Sequence, residues 1–242
     1  MKMGNHQLNE DNKDFEELNL GNDEGDDEEI LGFDTCYGQR ERETREKLRE
    51  TFNLPSLDDV KEGQYLDFHY RWLWNGAARE IAKKLEFKKR VYLDLSDCEI
   101  GGEWVDEFSY VLLEKGVTIN FRNNHIGWLF AARFLFERTF PEEVVINLSN
   151  NEICDLEIKD YYEEYKREIK GFPIHLEKKA KLNLSNNEIW DKWADILMNN
   201  MELEDGAELN LSNNHISDEM KQELREWEKS YHDRWINCKV IV

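Results

Sequence analysis

The stretch Val144-Val-Ile-Asn-Leu-Ser-Asn-Asn-Glu-Ile153 decides the fold, because four other segments of the chain repeat its pattern. Apolar and polar residues alternate at its start, which is the period of a short β-strand. An asparagine and an isoleucine follow at fixed offsets. The other copies are Val91-Tyr-Leu-Asp-Leu-Ser-Asp-Cys-Glu-Ile100, Val117-Thr-Ile-Asn-Phe-Arg-Asn-Asn-His-Ile126, Ala180-Lys-Leu-Asn-Leu-Ser-Asn-Asn-Glu-Ile189 and Ala207-Glu-Leu-Asn-Leu-Ser-Asn-Asn-His-Ile216.

The five copies recur at nearly constant intervals. Their central Asp or Asn residues are separated by 26, 27, 36 and 27 positions and are Asp94, Asn120, Asn147, Asn183 and Asn210. A step of 27 back from Asp94 reaches Asp67, and a step of 27 forward from Asn210 reaches Asn237; both lie in the same apolar-polar-apolar pattern. We therefore predict seven turns with degenerate ends, with Cys238 in an inward strand position of the last.

The motif Leu-x-Leu-x-x-Asn-x-Ile resembles the leucine-rich repeat, and the resemblance covers roughly residues 64–242. It implies an α/β fold, a curved right-handed solenoid with a parallel sheet on its concave face and helices on its convex face. Repeats of 26 or 27 residues are similar to those of the ribonuclease-inhibitor-like subclass. One feature departs from the family, whose extra leucine three residues before the first strand leucine is missing. Those positions hold Arg90, Gly116, Glu143, Lys179 and Gly206.

The sixth residue of the motif is expected to turn inward, where its side chain can satisfy backbone groups of the adjacent turn. The resemblance implies that either Asn or Cys serves there. These ladder residues are Cys98, Asn124, Asn151, Asn187 and Asn214.

Between the strands the apolar period changes to four, which predicts helices. The residues concerned form three sets: Ala77, Ile81 and Leu85; Trp104, Phe108 and Leu112; Trp193, Leu197 and Met201. Ser217, directly before Asp218, is predicted to be a helix N-cap.

Charge divides the chain. The net charge is −21, and residues 1–35 hold 12 acidic and two basic residues, so this segment is predicted to be a disordered tail. Residues 36–63 are rich in helix formers and predict an N-terminal helical cap before the repeats of 64–242. The acidity argues against direct binding to nucleic acid or to an anionic membrane, and it favours a basic protein partner. No apolar run is long enough to span a bilayer and no secretory signal is visible, so we expect a soluble, intracellular and cytoplasmic protein.

Catalysis is not expected, because the chain has no Gly-rich phosphate loop, nucleophile elbow or His-Glu-x-x-His motif. We expect no cofactor. His125 between Glu99 and Glu152 suggests a zinc site, but no closed set of four ligands is visible, so we expect these pairs to relieve charge and to bind no metal.

Three regions are candidates for partner binding. The predicted concave face is a nearly uniform lattice of Asn and Ser, from which Arg122 and His125 depart. The acidic tail offers Asp26, Asp27, Glu28 and Glu29. The 36-residue interval implies a nine-residue insertion within 154–179, where either a contact patch or a longer packed helix holds Tyr161, Tyr162, Tyr165 and Phe172.

These features favour a non-catalytic protein–protein interaction scaffold with a basic partner. One alternative is an acidic inhibitor that mimics nucleic acid and so blocks a nucleic-acid-binding protein. Another is an adaptor or effector that uses the 154–179 insertion as its contact patch. The identity of the partner and the oligomeric state stay open.

Overall fold

The structure is a computed structural model that describes residues 60–70, 81–82, 87–101, 108–136, 138–155 and 173–242. The chain divides into two compact units, Met1–Arg42 and Glu43–Val242. All described residues belong to the second unit.

The second unit contains a parallel sheet of seven short strands, so the predicted α/β class with a parallel sheet is confirmed. With the strands numbered in chain order, neighbours in this sheet follow one another along the chain. The register aligns the central Asp and Asn residues from Asp67 to Asn210, as the intervals predict. The strands are β1 (Tyr65–Asp67), β2 (Tyr92–Asp94), β3 (Thr118–Asn120), β5 (Val145–Asn147), β7 (Lys181–Asn183), β9 (Glu208–Asn210) and β10 (Lys239–Ile241).

A second parallel sheet, which the repeat pattern did not predict, has three strands. They are β4 (Arg138–Phe140), β6 (Ile174–Leu176) and β8 (Met201–Leu203), and each lies seven residues before a strand of the large sheet. Its buried Phe140, Leu176 and Leu203 continue a column of apolar residues that includes Phe87.

A tight turn joins each strand of the small sheet to the next strand of the large one. In the turn after β8, the N–H of Ala207 donates to the carbonyl oxygen of Glu204 at 3.0 Å, and Gly206 has φ +76°. Left-handed φ at this position favours glycine. The same conformation recurs at Gly63, Arg90, Gly116, Glu143 and Lys179.

Three helices of eight residues or more lie within the described ranges. They are α1 (Trp128–Leu135), α2 (Asp191–Asn200) and α3 (Asp218–His232). Trp193 and Leu197 of α2 are fully buried, as the helical spacing predicts. The predicted N-cap is confirmed, because the Ser217 hydroxyl accepts from the N–H of Met220 at 3.2 Å.

Two predicted helical positions are wrong. Leu112 lies beyond the helical residues and is 89% exposed, and Met201 begins strand β8. The helical residues end at Ser109 before Leu112 and at Asn200 before Met201, and Met201 pairs with Ile174 in the small sheet. Residues 77, 85 and 104 lie outside the described ranges.

The predicted register of the seventh strand is also wrong. Ile241, not Asn237, pairs with Asn210, and the inward strand residue is Val240. The cause is the length of α3, whose 15 residues delay the strand. Cys238 is still buried but precedes the strand, and Trp235 lies in the connecting turn with φ +67° and 96% exposure.

Within the described ranges, no helix combines the length and the apolarity needed to cross a bilayer.

Candidate partner-binding surface

A column of polar side chains forms a buried hydrogen-bond ladder behind the large sheet. The Asn187 side-chain oxygen accepts from the N–H groups of Asn151 (2.8 Å) and Ile153 (3.4 Å). Its Nδ2 donates to the carbonyl oxygens of Leu148 (3.0 Å) and Leu184 (2.9 Å). Comparable bonds to neighbouring backbone are made by Cys98, Asn124, Asn151 and Asn214. These ladder residues hold successive repeats together from inside.

The Asn and Ser residues of the outer sheet face also have a structural role. The Asn147 side-chain oxygen accepts from the N–H of Ser149 at 3.1 Å, and its Nδ2 donates to the side-chain oxygen of Asn120 at 3.0 Å. The first of these bonds closes a turn within the repeat, and the second links neighbouring strands. The turn-closing bond recurs at Asp67, Asp94, Asn120, Asn183 and Asn210. A side chain used in this way stabilises the repeat whether or not anything binds to it.

The first two strands depart from this uniform pattern. Asp67 and Asp94 stand where later repeats hold Asn, and Asp97 stands where they hold Asn123, Asn150, Asn186 and Asn213. Aromatic rings accompany the extra carboxylates. We call this set the aromatic–acidic patch, and it consists of Tyr65, Asp67, His69, Tyr70, Tyr92, Asp94 and Asp97.

The patch is one connected group of side chains. The rings of Tyr65 and Tyr92 lie 4.8 Å apart with a 37° tilt, and the Tyr65 hydroxyl donates to Asp94 Oδ2 at 3.3 Å. The His69 ring contacts the Tyr70 ring at 4.1 Å, and its Nδ1 lies 3.5 Å from Asp97 Oδ2. Tyr65 is 56% exposed and Tyr70 is 71% exposed. Exposed tyrosines are enriched at protein interfaces.

The patch carries three carboxylates, those of Asp67, Asp94 and Asp97. Asp94 is only 8% exposed, and its Oδ1 accepts from the N–H and hydroxyl of Ser96 and from Asn120 Nδ2. Among the described residues, no Lys or Arg forms an ion pair with Asp67, Asp94 or Asp97. Loss of solvent contact, followed by the negative charges of Asp94 and Asp67, raises the pKa of Tyr65, and burial followed by Asp94 raises the pKa of Tyr92. Both phenols therefore stay neutral at physiological pH, and the patch carries net negative charge.

Towards the opposite end of the same face, a carboxylate on a strand has a basic partner. Lys181 lies 3.5 Å from Glu208 on the neighbouring strand. Arg122, on the residues after β3, is exposed and places a positive charge between the two ends. Among the described strand residues of the large sheet, the carboxylates without a Lys or Arg partner therefore lie on β1 and β2.

His125 lies in a shallow groove at the carboxyl ends of the central strands. Its Nδ1 is 2.8 Å from Glu152 Oε1, and both side chains are more than half exposed. The groove encloses about 400 Å³ and is lined by Asn123, Asn150, Asn186 and Glu188 as well. In the part of the chain that the structure describes, no group of three or more His, Cys, Asp or Glu side chains is placed to hold a metal ion.

A second groove of about 540 Å³ lies where the nine-residue insertion leaves the repeat. Asp155 accepts there from the N–H groups of Trp190 (2.9 Å) and Lys192 (3.1 Å), and so caps the start of α2. Burial raises the pKa of the Asp155 carboxyl, and the donated N–H bonds partly offset this effect. The carboxylate is thus engaged in the fold.

The other predicted contact residues lie outside the described ranges. These are Asp26, Asp27, Glu28 and Glu29 of the tail and Tyr161, Tyr162, Tyr165 and Phe172 of the insertion. The described residues on either side of the insertion belong to the repeat architecture. Cys154 forms a parallel β-bridge with Glu188, and Ile174–Leu176 form β6. The predicted contact patch therefore does not extend over residues 174–176, of which Ile174 is fully buried.

Sequence analysis missed the aromatic–acidic patch, although a signal was present. The Asp residues stand in the same columns as the Asn residues, so the columns resemble one continuous polar lattice. Comparison of each repeat with the consensus of the others singles out Asp67, Asp94 and Asp97 together. The grouping of these residues with Tyr65 and Tyr92 needed the strand register.

No protein-family model matches this chain, and a search of curated proteins finds no match either.

Proposed function

We propose that this chain is a leucine-rich-repeat protein that binds a basic protein partner and catalyses no reaction. Three features support the repeat assignment. One short strand from each motif enters a single parallel sheet, the sixth motif residue lies in an inner ladder, and the register follows the 27-residue interval. These are the arrangements that the resemblance implies.

The aromatic–acidic patch carries the functional part of the proposal. A residue that recurs at the same position of every repeat is explained by the fold. A residue that replaces it in one or two repeats needs an explanation other than the fold. Asp67, Asp94 and Asp97 replace Asn residues whose side-chain oxygens accept the same kinds of bond in other repeats, so the fold does not require their charge. Exposed Tyr65 and Tyr70 beside them add apolar area that a partner would cover. The complementary surface is positively charged.

Affinity capture from a lysate of the cells that express the protein tests the proposal. The three changes Asp67→Asn, Asp94→Asn and Asp97→Asn remove the charge but keep the side-chain oxygens that close the turns. We expect proteins of net positive charge to be captured by the wild-type chain, and capture by the triple variant to fall about tenfold, since charge-assisted contacts are lost.

A matched control removes three exposed carboxylates elsewhere, through Glu202→Gln, Glu219→Gln and Glu223→Gln. This variant has the same net charge as the patch variant and should capture the same proteins as the wild-type chain. Equal capture by the patch variant would show that the patch is not the binding surface. Equal loss in both variants would show that only net charge matters.

A further inference from the structure

We infer that the aromatic–acidic patch recognises an arginine side chain of the partner and discriminates against lysine. The inference rests on the proposed function and deepens it, because it names the chemical group of the partner that the patch binds. It depends on the arrangement of the rings and carboxylates rather than on their charge alone.

The tyrosine pair supplies two adjacent aromatic rings, of which Tyr65 is the more exposed. The rings of Tyr65 and Tyr92 are in contact at 4.8 Å, and Tyr65 leaves 56% of its surface exposed. A planar guanidinium can stack on such a ring, and an ammonium group has no plane to stack. The face of a tyrosine ring is electron-rich and attracts a cation placed over it.

The carboxylates supply acceptors at the edge of that surface. Asp67 and Asp94 are register partners on adjacent parallel strands, a separation of about 4.8 Å. Among the hydrogen bonds of the described residues, Asp94 Oδ2 accepts one, from the Tyr65 hydroxyl at the long distance of 3.3 Å, and Asp67 uses Oδ1 to close its own turn. In the described part of the chain, the Asp67 Oδ2 atom has no hydrogen-bond donor. Two acceptors from two carboxylates match the fork of donors that a guanidinium presents.

Arginine is the occupant that these observations favour over other cations. Lysine would satisfy the charge but would use one carboxylate at a time and would leave the tyrosine surface uncovered. A metal ion would need a closed set of ligands, and no such group occurs among the described residues. The guanidinium is the common cation that uses both the rings and the carboxylates.

A pair of blocked peptides tests the inference with the full-length protein. Each has three basic residues separated by Gly-Ser, and they differ only in Arg or Lys. Titrations followed by the aromatic ¹H–¹³C resonances of Tyr65 and Tyr92 should give an Arg peptide affinity about fivefold or more above that of the Lys peptide. The patch variant with three Asn residues should bind both peptides about tenfold more weakly.

Two further variants separate the ring from the hydroxyl. Tyr65→Phe keeps the ring and frees Asp94 Oδ2, so the preference for arginine should persist. Tyr65→Leu removes the more exposed of the two rings, so the ratio of Arg-peptide to Lys-peptide affinity should fall towards one. Unchanged circular dichroism and melting temperature would show that both variants are folded.

Equal affinity of the wild-type protein for the two peptides would overturn the arginine inference, because the patch would then bind any positive charge. The proposed function would still stand. If neither peptide shifts the Tyr65 and Tyr92 resonances at millimolar concentration, the inference is also overturned. The capture experiment decides the proposed function independently of both outcomes.

Discussion

At the scale of single residues, the choice between Asp and Asn separates structure from recognition. Both side chains present an oxygen that closes the turn after a strand, as seen at Asp94 and Asn147. Only Asn can also donate to the neighbouring strand, as Asn120 donates to Asp94. Where Asp stands instead, one donor is lost and a charge is gained. Such positions are where a repeat protein can acquire a specific surface without changing its fold.

The buried ladder gives a prediction at the same scale. Asn187→Ala removes an oxygen that accepts from the N–H groups of Asn151 and Ile153, and an amide that donates to buried carbonyl oxygens. Each unsatisfied buried group costs about 1–3 kcal/mol, so we expect the free energy of unfolding to fall by about 2–4 kcal/mol. Urea denaturation measures it. Asn199→Ala, at an exposed site on α2, should change it by less than about 0.5 kcal/mol, and an equal loss in both variants would contradict the assigned role of the ladder.

At the scale of elements, the tight turns that precede the strands of the large sheet share one backbone conformation. Each turn places its third residue in the left-handed region, and three of the six described turns use glycine there. Arg90, Glu143 and Lys179 adopt the same φ despite their side chains. A Cβ on Gly116 would lie 2.9 Å from Arg90 Cγ, and one on Gly206 would lie 2.9 Å from Lys179 Cγ. At Gly116 and Gly206 a Cβ would therefore crowd the side chain of the neighbouring turn, whereas Glu143 and Lys179, in neighbouring turns, both carry long side chains at positive φ.

Gly206→Ala should destabilise the protein by about 1–2 kcal/mol, because a Cβ at this φ is strained and also crowds Lys179. Thermal or urea unfolding would measure the change. Gly101→Ala is a matched control, since nothing lies within 4 Å of a Cβ built there. If Gly206→Ala and Gly101→Ala have the same stability, neither the strain nor the contact limits this turn.

At the scale of the whole molecule, charge is the dominant property. The chain carries 53 acidic and 32 basic residues, so self-repulsion opposes the compact state. Local ion pairs such as Lys115–Glu142, at 2.8 Å, offset only part of it. The same excess negative charge attracts positively charged partners and repels negatively charged ones.

Salt should therefore stabilise the protein. When sodium chloride is raised from about 0.01 M to about 0.1 M, the screening length falls from about 30 Å to about 10 Å. We expect the melting temperature to rise by about 2–4 °C, which corresponds to about 1 kcal/mol at this chain length. Sodium and potassium chloride should act equally at the same ionic strength. A lower melting temperature in salt would mean that the local ion pairs outweigh the net repulsion.

The amino-acid sequence by itself determined the repeat, the parallel sheet and the strand register from Asp67 to Asn210. It could do so because the alternation of apolar residues and the spacing of the motif are local properties. The inner position of Trp193 and Leu197 and the cap at Ser217 followed for the same reason.

Only the tertiary structure decided the rest. The small sheet, the register of β10 and the end of each helical stretch depend on which apolar residues fill the space between turns, and that space is defined by neighbouring repeats. The aromatic–acidic patch depends on residues 27 positions apart that meet across paired strands, as Tyr65 and Tyr92 do. A pattern read along the chain shows where such residues stand, but the contacts between them arise from packing.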